Sequence, residues 1–178
     1  TFTVDAVYRM VEVGVVRHDE FPEVLDGVLV VRPMADPREA AVIDRMARAL
    51  VIAVADLAIV RVRGPLRLNG TTEVTPGVSI LKAREDWYRD FHPGAADVLL
   101  VVEVAPAAMP SGVSERLGVY SRSGVPEVWM VDVETEALEV ARDPDSSGAY
   151  RELRRHARTE AITPRAIPQI ELRVGDLL

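Results

Sequence analysis

Apolar and polar positions alternate in several distinct ways along this chain, and each way predicts a different element. Val4, Val7, Tyr8 and Val11 recur at helical spacing behind Thr3, a residue suited to cap a short helix over about 4–13. In "PEVLDGVLVVRP" the Asp26-Gly27 pair joins two apolar runs as a tight hairpin turn does. "ADPREAAVIDRMARALVIAVAD" opens with Asp36 as cap, Pro37 at the first helical position and Glu39 three residues after the cap. Ile43, Met46, Ala47, Leu50, Val51 and Val54 then keep the spacing of one helix face.

From Leu57 to Leu68 the period falls to two. Arg61, Arg63 and Arg67 lie on one side and Val60, Val62, Leu66 and Leu68 on the other, with Gly64-Pro65 interrupting. "NGTTEVTPG" reads as a turn region, "VSILKA" as a short strand and "REDWYRDFHPGAAD" as a loop or frayed helix. The run "ADVLLVVEVAP" is too short and too β-branched for a helix, and reads as a strand. "PSGVSERLGVYSRSG" follows as a helix capped near Ser111 and closed by Gly124. "VPEVWMVDV", "ETEALEVAR" and "AYRELRR" read as strands, the first two as a hairpin, and "IPQIELRVGDLL" offers one more short strand.

Strand, helix and strand between residues 97 and 132 form a βαβ unit whose two strands should run parallel through a right-handed crossover. The expected architecture is α/β, a mixed central sheet flanked by the two long helices. A length of 178 residues suits a single domain over 1–178.

One charge stands out against this pattern. Glu103 is set into an otherwise apolar strand, toward the carboxyl end where open α/β sheets place ligands. Stripping a carboxylate of water costs several kcal/mol, so Glu103 needs a cation, a hydrogen-bonding shell or a chemical role. On the next helix Arg116 shares a face with Val113, Leu117 and Tyr120, which makes its guanidinium the expected partner.

Composition narrows the chemistry. There is no cysteine, which excludes disulfides, zinc-thiolate sites and thiol nucleophiles. The formal charge of −7, from 28 acidic and 21 basic residues, argues against a general polyanion coater. Lys82 is the only lysine. Serine-hydrolase, P-loop and dinucleotide fingerprints do not occur, so no nucleotide cofactor is expected. No membrane span or signal-peptide order is legible, and a cytoplasmic location is expected. His18, His92 and His156 are scattered without the spacing of a ligand pair.

The segments "PEVLDGVLV", "TPGVSILKA", "ADVLLVVEVAP" and "SERLGVYSRSGVPEVWMVD" resemble, in order and spacing, the Uma-two family of restriction endonucleases within the PD-(D/E)xK superfamily. "Y…GVPEVWMVD" is the most specific of these matches. The resemblance implies a restriction-endonuclease-like fold and metal-dependent cleavage of DNA with Mg²⁺ or Mn²⁺. Residue by residue, it implies metal ligands at Glu23 and Glu103. The family's catalytic lysine falls on Arg116, and its central metal-ligand aspartate falls on Gly77, which has no side chain to offer. Glu73 is the one nearby carboxylate, but four residues of extended chain span roughly 13 Å, too far for a simple substitution. These departures leave two expectations: an endonuclease impaired at Gly77 and Arg116, or a catalytically inactive relative that binds nucleic acid or a protein.

Arg61, Arg63 and Arg67, with Arg151, Arg154, Arg155 and Arg158 as a second group, are the candidate contacts to DNA backbone, though a solvated strand face would look the same. Trp87, Tyr88 and Phe91 could stack on bases or pin their loop. The apolar strands late in the chain could leave an unpaired edge, from which a homodimer is expected.

Overall fold

The computed structural model describes residues 1–17, 21–31, 35–105 and 110–178. His18 lies outside the described residues. The chain order is α1 (Val4–Glu12), β1 (Pro22–Leu25), β2 (Val28–Val31), α2 (Pro37–Val54), β3 (Ala58–Val62), β4 (Leu66–Asn69), β5 (Thr72–Val74), β6 (Val78–Lys82) and β7 (Val98–Ala105). It continues with α3 (Pro110–Arg122), β8 (Glu127–Asp132), β9 (Ala137–Pro144), β10 (Tyr150–His156), β11 (Ala161–Ile162), β12 (Leu172–Arg173) and α4 (Val174–Leu177).

Local chemistry explains the boundaries. Thr3 accepts from the Ala6 N–H at the start of α1, and Asp36 accepts from the N–H groups of Arg38 and Glu39 at the start of α2. Asp26 and Gly27 both take positive φ, 48° and 81°, the geometry that lets a two-residue loop join β1 to β2. α3 begins at Pro110, so the position that would cap it lies outside the described residues. It closes on Gly124 at φ 79°, whose left-handed conformation lets the Val125 N–H reach back to the Tyr120 carbonyl.

The strands form two main sheets. The larger has the order β10-β9-β8-β7-β6-β3, and β7 and β8 are its parallel pair, the product of the βαβ unit around α3. The fold is therefore α/β with a mixed sheet and flanking helices, as the pattern predicts. The smaller sheet has the order β2-β1-β5-β4, and β11 pairs with β12.

Alternation along each strand divides the core in two. One face of the large sheet presents Ile80, Leu100, Val102, Trp129 and Leu138 to Ile43, Met46, Leu50 and Val54 of α2. The other presents Leu81, Val101, Val128 and Ala141 to Val119 and Tyr120 of α3, and Leu25, Leu66 and Val74 of the small sheet join there. Each fully buried aliphatic side chain contributes about 1.5–3 kcal/mol, so these contacts dominate the packing of both helices.

Two sequence expectations change. The alternation over 57–68 is not one strand, because the chain leaves the large sheet at Gly64-Pro65 and enters the small one as β4. The segment read as a turn, "NGTTEVTPG", contains β5, which pairs with both β1 and β4.

Candidate functional site

The cation that Glu103 requires is Arg116. Glu103 and Met130 are parallel-strand partners and face the α3 side of the large sheet. From α3, Arg116 donates Nε–H to Glu103 Oε1 at 2.8 Å and approaches the same oxygen with a second nitrogen at 2.6 Å. Its other edge grips Glu23 on β1, at 2.6 Å to Oε2 and 3.2 Å to Oε1. Glu23 Oε1 also accepts from the Thr75 backbone N–H at 2.5 Å. Both carboxylate side chains are 2% exposed and the Arg116 side chain 13%. The guanidinium therefore lies between two buried carboxylates, one from each sheet.

Tyr120, one helical turn after Arg116, completes the cluster. Its hydroxyl donates to Glu103 Oε1 at 2.5 Å and its ring is fully buried. Burial first and the Glu103 charge second push the Tyr120 phenol well above its usual range. Burial opposes the charge on Arg116, but Glu103, Tyr120 and Glu23 outweigh it and raise its proton affinity well above normal. Arg116 therefore keeps its charge and Tyr120 its proton at any ordinary pH.

Residue pattern pairs Glu103 with Arg116, the family resemblance adds Glu23, and neither points to Tyr120 as a donor. The signal was available, since Tyr120 stands four residues after Arg116 on the same helix face.

Gly77 precedes β6, and a Cβ there would lie 3.2 Å from Ile43 Cγ1 and 3.3 Å from the Val102 carbonyl oxygen. A side chain at 77 would press on Ile43 of α2, on the face of the large sheet opposite Arg116, and Ile43 would have to give by a few tenths of an ångström. Glu73 is turned away too. It is the cross-strand partner of Val24, so it faces α1 while Glu23 faces α3, and it accepts from the Tyr8 hydroxyl at 2.9 Å.

The donor set therefore does not fit a divalent cation. Two carboxylates are gripped by a resident guanidinium, the third ligand position has no side chain, and no group of three or more His, Asp or Glu that could hold a metal occurs among the described residues.

The arginine strip resolves into separate residues. Arg63 pairs with Glu39 at 3.2 Å and Arg67 with Asp5 at 2.8 Å. Arg61 lies over the Tyr88 ring, 5.7 Å from its centroid. In the second group Arg154 pairs with Glu160 and Arg158 with Glu136, while Arg151 and Arg155 stand exposed on β10. Tyr88 pins its loop through a hydroxyl bond to the Lys82 carbonyl, and Trp87 beside it is 68% exposed. His92 is exposed, and His156 contacts Glu160 at 3.3 Å.

All four tyrosines resist ionisation. Burial is the largest cause in each, with Glu73 next for Tyr8, which is pushed up to about 12. Phenol pKa values raised by folding contribute stability that is full below about pH 10 and lost as pH rises through the folded values. A spectrophotometric titration of the folded protein should show no tyrosinate step near pH 10. Unfolding at that pH should release all four phenols together.

The mixed sheet and its α3 crossover are those of a nuclease-type fold. A crystal structure of a "putative nuclease belonging to DUF820" from Anabaena variabilis ATCC 29413 superposes with a TM-score of 0.77, covering 99% of this chain and 97% of that chain at 14% identity. The chain belongs to the Uma2 family, described as "Putative restriction endonuclease", whose sequence pattern matches residues 7–175. No curated protein matches it. No described helix is long and apolar enough to cross a membrane.

Proposed function

We propose that this chain is a restriction-endonuclease relative that engages DNA without cutting it, with the metal position of its family held by its own arginine. The observation that carries this reading is the Arg116 guanidinium, seated between Glu23 and Glu103 within 2.6–3.2 Å of both. Phosphodiester hydrolysis in this superfamily depends on a divalent cation that polarises the phosphate and activates water. A guanidinium can neutralise a phosphate, but it supplies neither a coordinated water nor an exchangeable proton at neutral pH. The absence of a side chain at Gly77, where the family resemblance expects an aspartate, supports the same reading. DNA as the ligand is supported by the family the chain belongs to.

The test is relaxation of supercoiled plasmid with Mg²⁺ or Mn²⁺, beside electrophoretic mobility shift of the same DNA. Retained DNA binding with no nicking is the expected result for the natural protein. Nicking that disappears in Glu103→Ala would overturn the proposal and establish a metal-dependent endonuclease whose missing ligand is supplied in the complex.

A further inference from the structure

The four-stranded sheet ends on β2, and β2 differs from every other edge of the two main sheets. Its residues are Val28, Leu29, Val30 and Val31, with no polar side chain among them, and Val28 and Val31 are more than half exposed. The opposite edge, β4, carries Arg67 and Asn69, and the Arg67 N–H already bonds to the Pro93 carbonyl. On the large sheet β3 carries Arg61, and β10 carries Arg151, Glu152, Arg154 and Arg155. Charged side chains are the usual guard against edge-to-edge pairing. β2 alone lacks that guard, so the late hairpin ending on β10 is not where a second chain would pair.

We propose that β2 pairs antiparallel with β2 of a second copy, joining the two small sheets across a two-fold axis at Val30. The register follows from the hairpin. Leu25 and Val28 close the two-residue turn, and hydrogen-bonded and non-hydrogen-bonded pairs alternate along an antiparallel ladder. The peptide groups of Leu29 and Val31 therefore face outward. A two-fold axis perpendicular to the sheet relates each residue to one of the same parity, so Leu29 of one protomer bonds Val31 of its partner, and the reverse, with Val30 opposite Val30. Every side chain brought together is aliphatic. Two chains of charge −7 can meet there without apposing like charges. This self-complementarity is what points to a second copy rather than to an unrelated strand.

The pairing also arranges the candidate sites. Val30 is the cross-strand partner of Glu23, so the two share a face. Two β1 strands would then lie three interstrand spacings apart, roughly 14 Å, with both arginine sandwiches on one side of the continuous sheet. The proposal does not depend on whether DNA is bound or cut.

Because the chain has no cysteine, a single introduced thiol reports the register cleanly. A non-hydrogen-bonded antiparallel pair has Cα atoms about 4.5 Å apart, within disulfide reach. The natural protein should sediment as a dimer at micromolar concentration. Val30→Cys should oxidise to a covalent dimer, Leu153→Cys on β10 should not, and Val31→Lys should sediment as a monomer with unchanged circular dichroism. Val31→Lys keeps the proposal testable if Val30→Cys fails to fold. A monomeric natural protein, cross-linking through Leu153→Cys, or a Val31→Lys variant that remains dimeric would overturn it.

Discussion

Arg116→Met is expected to lower stability by about 3–5 kcal/mol, the usual cost of removing one partner from a buried ion pair. For a chain of this length that is a fall in melting temperature on the order of 10 °C. The cause is specific. Glu23 and Glu103 come from different sheets, both are almost wholly buried, and Arg116 is the cation gripping each of them. Without it two buried carboxylates lose that cation and keep neutral donors such as the Thr75 N–H and the Tyr120 hydroxyl. Arg116→Lys should fall between the natural protein and Arg116→Met, because a single ammonium cannot reproduce a guanidinium's bidentate grip. The triple variant Glu23→Gln, Glu103→Gln, Arg116→Met should recover much of the loss, since coupled residues are not additive. Thermal and urea denaturation of the four proteins measure this. Arg116→Met within about 1 kcal/mol of the natural protein would mean that the sandwich adds no more than an exposed ion pair does.

An arginine that holds two sheets together is a different device from a lysine poised for chemistry. Metal sites release their ligands' charge to an exchangeable ion, and stability then depends on that ion. Here the cation that grips both carboxylates is covalently part of α3.

Much of this was legible from residue pattern alone. The capped α2, the β1-β2 hairpin and the βαβ unit all follow from periodicity and turn chemistry, and they fix the direction of β7. Helical spacing then pairs Arg116 with Glu103. Glu23 was different. It meets Arg116 across 93 residues of sequence, from a second sheet that no local signal announces, and only the family resemblance placed it. β5 was missed because three residues between Gly70 and Pro76 give too short a run to show a period. The reading of 57–68 as one alternating run failed for a related reason. Alternation continued across Gly64-Pro65 although the chain there changes sheets, so Arg61 and Arg67 never share a strand.

Glu127 was missed for a plainer reason, since the physics that singled out Glu103 applies to it equally. It opens β8, inside the apolar run "VPEVWMV", and is 1% exposed. Its Oε1 accepts from Trp129 Nε1 at 2.8 Å and from Arg142 at 3.0 and 2.7 Å, and its Oε2 accepts from the Arg165 backbone N–H at 2.7 Å. Arg142 is its cross-strand partner on β9 and also donates to the Thr163 carbonyl. Glu127 thus ties the segment after β11 to the large sheet and orients a fully buried tryptophan. Asp132, at the other end of β8, accepts from the N–H groups of Glu134 and Thr135 and so shapes the turn into β9.

Glu127→Ala should therefore destabilise the fold by about 3–5 kcal/mol, because it strands a buried guanidinium and two further donors. Glu127→Gln, which keeps an acceptor but not the charge, should cost less, about 1–3 kcal/mol. On the proposed function both variants should bind DNA once folded, since Glu127 lies on β8, outside the Arg116 cluster. Denaturation curves and mobility shifts at a temperature where all the variants are folded separate the two effects. If Glu127→Ala melted normally and lost DNA binding, the residue would belong to a ligand surface. If it melts early and binds, the "GVPEVWMVD" segment that most specifically marks this family is a record of packing, and its presence in a chain says that the fold is kept, not that the chemistry is.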